Sequence, residues 1–503
     1  MNAPLATTQE VQAFQAFQAV QDVRDRLADL CAELVVAGRS VRPEESFTVS
    51  APGMPTLTWS CADAGPGDAD RALDAAWSRY PGWAATPVSE RAALVRRWAA
   101  RIEDDTDRYA TVIAVEAGKS LPEARRETLF TVATLRALAD TAEDMLTGAG
   151  PGARRDRMVT VRQRPLGPVL AITPWNFPLS LAARKTASAL LTGCPVILKP
   201  SERTPASALL MGRDLVAGGA PEGSVSVLPT TRSADLTGAL TDDPRLRKVS
   251  FTGSTEVGRA VLRATARNIL RVSLELGGNA PFVVCPEHDA EKAASGALAA
   301  KLANNGQACT AANRLIVPED ARRVRTLLAE RFEELRIGWS LDPAASPVGP
   351  VISAEAAARV EALVSDALAR GAQVVRARAE PPEYGHYVLP ALVLGVEPHW
   401  PIARQEVFGP VLPVLTYRDL DEAVRIADGT EYGLAAYVYG TAPAEVARVA
   451  DGLDTGLVAV NHPSVSHPAA PFGGVKHSGY GRENAAEGLS EYMSATSTIG
   501  NLE

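Results

Sequence analysis

The stretch LGPVLAITPWNFPLSLAARKTASALLTGCPVILKPSE (166–202) decides the fold. A short apolar run, VLAI (169–172), leads through a proline-broken loop into a helical segment ending near 192, and a second run, VIL (196–198), follows. The pattern then repeats: helix 204–218, SVSVL (224–228), helix 233–241, KVSF (248–251) and a further helix. Apolar runs alternating with helical segments predict βαβ units, a parallel sheet and right-handed crossovers. A second alternating block runs from FVVC (282–285) through helix 289–304 and RLIV (314–317) to VLPVL (411–415) and LVAV (457–460), which predicts a second α/β domain beginning near 277.

Working outward, residues 68–147 read as several helices without visible chemistry. In residues 9–36, Val11, Phe14, Phe17, Val20, Val23, Leu27, Leu30 and Leu34 recur at steps of three or four. That spacing predicts an amphipathic helix docked on its own domain, with a partner- or membrane-binding helix as the alternative. Five arginines in 152–164 suggest a solvated or subunit-facing hairpin rather than a nucleic-acid site. The longest uncharged stretch, 165–183, contains Pro165, Pro168, Pro174 and Pro178, which break any spanning helix.

A chain of 503 residues, 46% apolar and 22% charged, is long enough for two or three domains. Its 59 acids outnumber 51 bases, which disfavours nucleic-acid and anionic-membrane surfaces and makes a small molecule the expected partner. Cys31, Cys61, Cys194, Cys285 and Cys309 form no CxxC pair, and the six histidines form no ligand pattern, so no metal site is expected. The opening residues lack the basic and apolar regions of a secretory signal, and the expected location is cytoplasmic.

Four segments could carry chemistry. FTGSTEVG (251–258) aims backbone N–H groups and a helix dipole at an anion such as pyrophosphate, although ordinary helix capping reads the same way. ILKPSE (197–202) places Lys199 and Glu202 beyond a strand's carboxyl end, where α/β sheets bind ligands; Glu202 could take a ribose diol or be a solvent-exposed loop residue. Cys309, in NNGQACTAANR (304–314), is either a nucleophile or a small buried hydrophobe. Glu275, in LELGGNAP (274–281), could be its supporting base.

Together PWNFP (174–178), LKPSE, FTGSTEVG, LELGGNAP, GQAC (306–309), EVFGP (406–410) and PFGGVKHSGYGRE (471–483) resemble, in order and spacing, the aldehyde dehydrogenase superfamily over about 34–495. Among its branches the chain is most similar to succinate-semialdehyde dehydrogenases. The resemblance implies a Rossmann-like cofactor domain (1–148 and 166–277), an α/β catalytic domain (278–477) and a small β oligomerisation extension (149–165 and 478–503) of a homodimer or homotetramer. It implies Cys309 as nucleophile, Asn176 with the Cys309 N–H as oxyanion donors, and Glu275 as general base for thioester hydrolysis. For the cofactor, NAD preferred and NADP possible, it implies Trp175, Lys199, Ser201, Glu202, Gly253, Ser254, Gly258, Leu276, Glu406 and Phe408.

For the substrate wall the resemblance implies Phe177, Leu181, Ala308, Thr310, Ser464, Ser466 and His467, a wide and polar lining with few aromatics. Succinate-semialdehyde dehydrogenases hold the far carboxylate with two arginines. Arg184 matches one, but the second position is Ala303, so Arg184 is expected as the single charged anchor of a longer or bulkier polar or anionic aldehyde. The competing readings are a general aliphatic or aromatic aldehyde dehydrogenase, a CoA-acylating enzyme, which would lack the Glu275 base, and a non-catalytic structural relative.

Overall fold

The computed structural model describes residues 21–147, 152–154, 157–339, 341 and 348–500. The apolar runs that announce an α/β protein become the middle of an eight-stranded sheet. Its order is Arg39–Val41, Leu34–Val36, Val225–Val227, Val196–Lys199, Val169–Ile172, Lys248–Thr252, Arg271–Glu275 and Gly479–Tyr480. The five strands from Val225–Val227 to Arg271–Glu275 are parallel, and the flanking pairings are antiparallel. Every residue of Val169–Ile172, Val196–Lys199 and Lys248–Thr252 is buried, because helices cover both faces.

The chain then crosses in five residues, 276–280, to a seven-stranded sheet. Its order is Gln373–Arg376, Ala391–Leu394, Val411–Tyr417, Arg314–Pro318, Pro281–Val284, Ala435–Tyr439 and Leu457–Val460, all parallel except the first pair. Met493–Gly500, Arg157–Pro165 and Gly152–Arg154 make a separate three-stranded antiparallel sheet.

Two sequence expectations need correction. Of the helix expected over 9–36, residues 21–31 are helical, and residues 9–20 lie outside the described residues. Leu34 is not on that helix, since Leu34–Val36 turns into a fully buried strand beside Val225–Val227. Three consecutive apolar residues suit a strand covered on both faces, and a period of three or four cannot be told apart over so short a run. Gly479–Tyr480, at the start of the segment expected to serve oligomerisation, extends the eight-stranded sheet.

Parallel register determines what stands at the carboxyl edge of the first sheet. Ile172 pairs with both Lys199 and Phe251, and Thr252 pairs with Glu275. The loops beginning at Thr173, Pro200 and Gly253 therefore leave the sheet at one level, next to Glu275. Ligands of open α/β sheets bind at such an edge.

Candidate active site

At that edge Lys199, Ser201, Glu202, Gly253 and Ser254 line a cavity of about 490 Å³. Thr173 and Thr252 line it too, and their buried hydroxyls have no hydrogen-bond partner among the described residues. Burial pulls the Lys199 ammonium below its ordinary range, and its nearest counter-charge is Glu202 at 3.9 Å. Ser254 caps the helix Thr255–Thr265 through the Val257 N–H. Unpartnered hydroxyls, a desolvated cation and a capped helix N-terminus form a polar cradle that fits a dinucleotide. Gly258 and Leu276 do not line this cavity. A Cβ on Gly258 would stand 2.5 Å from Leu276 Cδ2, so this glycine lets the helix pack on the crossing segment.

The crossing segment presses against the loop that carries Cys309. A Cβ on Gly278 would lie 2.2 Å from the Cys309 carbonyl oxygen, an approach only glycine permits. The Gly278 N–H donates to Glu406 Oε1 at 3.0 Å, and burial pushes the Glu406 carboxyl up to about 7. Trp175 and Phe408 meet edge to face with centroids 5.6 Å apart. Trp175, Glu406 and Phe408 do not line the cavity around Lys199, and Glu406 meets the crossing segment.

Cys309 follows the turn Ala303–Gly306, in which Asn304, Asn305 and Gly306 take φ of +52°, +57° and +77°. Consecutive left-handed residues are strained and need external support. The Asn304 N–H donates to Glu123 Oε1 at 2.9 Å, and Asn304 Nδ2 donates to the carbonyls of Asn176 (2.9 Å) and Gln307 (3.0 Å). Asn305 Oδ1 accepts the Gly349 N–H at 2.7 Å. Asn176 is buried, and its Nδ2 donates to the Gln307 carbonyl at 3.0 Å.

Beneath this turn lies a buried ion pair that the sequence reading did not find. Lys119 Nζ is 2.6 Å from Glu127 Oε2, donates to the Asn176 carbonyl at 2.8 Å and lies 4.4 Å from the centre of the Phe177 ring. Glu127 Oε1 accepts the N–H groups of Leu179 and Ser180 at 3.1 and 3.2 Å. Both side chains come from the stretch 68–147 that showed no chemistry. The signal present was a lysine and a glutamate eight residues apart in a helical region, which ordinarily describes a solvated face.

Cys309 opens onto a cavity of about 600 Å³. Phe177, Leu181, Arg184, Ala303, Ala308, Thr310, Ser464 and Ser466 line it, whereas His467 does not. The expected polar wall with few aromatics is corrected, because Phe130, Phe177, Tyr437 and Phe472 dominate the surface with Leu129 and Leu181. Phe130 and Leu129 belong to the helix Leu121–Thr147, whose apolar periodicity reads as core in sequence. Arg184, expected as the charged anchor, has a partner: its Nη1 is 3.0 Å from Glu483 Oε2, with both side chains 5% exposed.

Electrostatics set the resting protonation states. Burial is the largest cause pushing the Cys309 thiol up to about 12, and Glu406 and Glu275 add to it. Glu275 is raised well above the usual carboxyl range by burial and by Glu483, and neither of its oxygens has a hydrogen-bond partner among the described residues. Burial alone would raise Glu483 as well, but Lys185 and Arg184 hold it below its ordinary value. Glu483 takes Arg184 and Lys185, and among the described residues Glu275 has no ion-pair partner.

Residues 40–498 match the aldehyde dehydrogenase family. The chain is 40% identical over 431 residues to succinate-semialdehyde dehydrogenase of Paenarthrobacter nicotinovorans, covering 84% of this chain and 94% of that one. It is 37% identical over 450 residues to glutarate-semialdehyde dehydrogenase of Pseudomonas aeruginosa, covering 89% and 93%. The solved structure of succinate-semialdehyde dehydrogenase from Burkholderia pseudomallei superposes with a TM-score of 0.91 at 34% identity, covering 94% of this chain and 99% of that one.

The resting thiol makes a direct prediction. With its pKa near 12, the Cys309 thiolate fraction grows about tenfold per pH unit through the neutral and mildly alkaline range. Alkylation of Cys309 by iodoacetamide in the cofactor-free protein should therefore accelerate about tenfold per unit from pH 7 to 9, read by peptide mapping. A plateau below pH 8 would contradict the uncharged resting thiol.

Proposed function

We propose, for a chain that belongs to the aldehyde dehydrogenase family, that Cys309 and Glu275 carry an NAD(P)-dependent oxidation of a semialdehyde to its acid. The observation that carries this reading is Glu275, a buried carboxyl whose oxygens have no hydrogen-bond partner among the described residues, three residues before Gly278, whose backbone closes on the Cys309 carbonyl. Cys309 Sγ attacks the formyl carbon as thiolate, its proton having passed to water in the cavity that Cys309 lines. Asn176 Nδ2 and the Cys309 N–H receive the oxyanion of the thiohemiacetal. Lys199, Ser201, Glu202 and Ser254 would hold a nicotinamide dinucleotide, which would supply the hydride acceptor. Collapse of the oxyanion leaves a thioester on Cys309, and Glu275 takes a proton from the water that hydrolyses it, releasing acid and thiol.

Glu275 favours hydrolysis over transfer of the acyl group to CoA. The names of the relatives and the cations at the cavity wall both support a substrate whose far end is anionic. Arg157–Pro165 and Met493–Gly500 pair along eight residues and expose Val161 and Ile499, an apolar strip that suits a homodimer or homotetramer. Five free cysteines suit a reducing, cytoplasmic setting.

Cys309→Ala should lower NADH formation from succinate and glutarate semialdehydes by more than about 10³-fold, since no other group supplies the covalent step. Retained turnover would refute the nucleophile. For the cofactor, Glu202 would accept the ribose 2′-OH but repel a 2′-phosphate, and solvent at its 42% exposed side chain reduces the penalty. NAD should exceed NADP in kcat/KM by about tenfold, and Glu202→Ala should narrow the gap. Equal values in the wild type would overturn the preference.

A further inference from the structure

Three cations line the cavity above Cys309: Lys119, Arg126 and Arg184. Two of them are already engaged. Lys119 is 1% exposed and divided between Glu127 and the Asn176 carbonyl. Arg184 is held by Glu483 and lies 4.9 Å from the centre of the Phe472 ring. Arg126 differs in both respects. Its side chain is 67% exposed, and its one ion-pair contact among the described residues is a loose 3.7 Å approach of Nη2 to Glu123 Oε1. That same oxygen accepts the Asn304 N–H, so Glu123 is fixed to the nucleophile turn while the guanidinium beside it stays available.

The helix Leu121–Thr147 explains where this cation stands. Arg126, Leu129 and Phe130 fall at i, i+3 and i+4, on one face, and all three line the cavity. The face therefore presents an apolar surface with a guanidinium one turn before it. Ala303, next to Asn304, contributes no bulk or charge to the same wall. A cavity of about 600 Å³ falls in the ~300–1,000 Å³ range of sites for sizeable organic ligands, more than a four-carbon semialdehyde occupies.

We propose that Arg126 is the residue that determines specificity for the far end of the substrate. It binds the terminal carboxylate of an ω-carboxy aldehyde longer than four carbons, whose methylene chain lies along Leu129 and Phe130 with its formyl group at Cys309. The inference rests on the reading of Cys309 as nucleophile. Guanidinium geometry suits a carboxylate bidentately, and the methylene chain removes water from the pair as it binds. Glu123 keeps its Asn304 N–H when Arg126 turns to the substrate, so the exchange leaves the turn intact.

The test compares kcat/KM for ω-carboxy aldehydes of four to seven carbons with that for neutral n-alkanals of matched length, in wild type, Arg126→Lys, Arg126→Ala and Arg126→Glu. Arg126→Ala should lower kcat/KM for the longer acids by about 5- to 20-fold, mainly through KM, and leave the alkanals within about twofold. Arg126→Lys should recover part of the loss, and Arg126→Glu should deepen it. Added salt should shrink the wild-type preference for acids. An unchanged ratio of acids to alkanals in Arg126→Ala would overturn the proposal. So would an equal fall for both classes, which would give Arg126 a structural role through Glu123. Failure of the wild type to oxidise any aldehyde would instead overturn the parent reading, and the alkanal rates separate the two.

Discussion

The carbonyl of Asn176 ties the loop at the edge of the first sheet to the turn that precedes the second sheet's Arg314–Pro318. It accepts from Lys119 Nζ on one side and from Asn304 Nδ2 on the other, while the Asn176 side chain donates to Gln307. Asn176 belongs to the loop leaving Val169–Ile172, and Asn304 and Gln307 to the turn that delivers Cys309 before Arg314–Pro318. Three left-handed residues in a row would not hold that turn unaided. Held this way, the turn presents the thiol and the donor loop as one unit. The buried Lys119 ammonium is neutralised by Glu127, which in turn receives two N–H groups of the same loop, so removing either partner would leave a buried charge uncompensated.

A second constraint is the unequal treatment of two carboxyl groups. Glu483 receives Arg184 and Lys185, so its charge is stabilised despite burial. The Glu275 carboxyl, at the carboxyl edge in a residue paired in register with Thr252 and Gly479, receives no hydrogen bond among the described residues and is pushed toward its neutral form. A carboxyl of raised pKa is a stronger base once ionised than a solvated one, which is what abstraction of a proton from water requires. Burial likewise pushes the Cys309 thiol up and favours its uncharged form.

How much of this was legible in the sequence follows the same physics. Strands covered on both faces leave continuous apolar runs, so VLAI, VIL and KVSF announced the parallel sheet and the edge where the ligand cavity lies. Cys309 and Glu275 stood out for their small, glycine-rich settings, and the family resemblance supplied their roles. Leu34–Val36 was not legible, because three apolar residues after a helix carry no period of their own. Lys119, Glu123, Arg126 and Glu127 were missed for a different reason. Their functions come from what the helix Leu121–Thr147 and the residues just before it meet in space, and a charged residue beside a helical period reads as solvent-facing. The aromatic wall escaped similarly, since Phe130 toward a cavity and Phe130 toward a core have the same spacing.

The proposed reaction turns on a covalent acyl intermediate formed by Cys309 and cleared by Glu275. The most direct measurement is peptide mapping by mass spectrometry of Glu275→Gln, quenched after mixing with NAD and an excess of the best semialdehyde. The predicted result is one equivalent of acyl group in thioester linkage on Cys309, formed together with a stoichiometric burst of NADH. Steady turnover at the wild-type rate with Cys309 unmodified, or an acyl group on another residue, would contradict it.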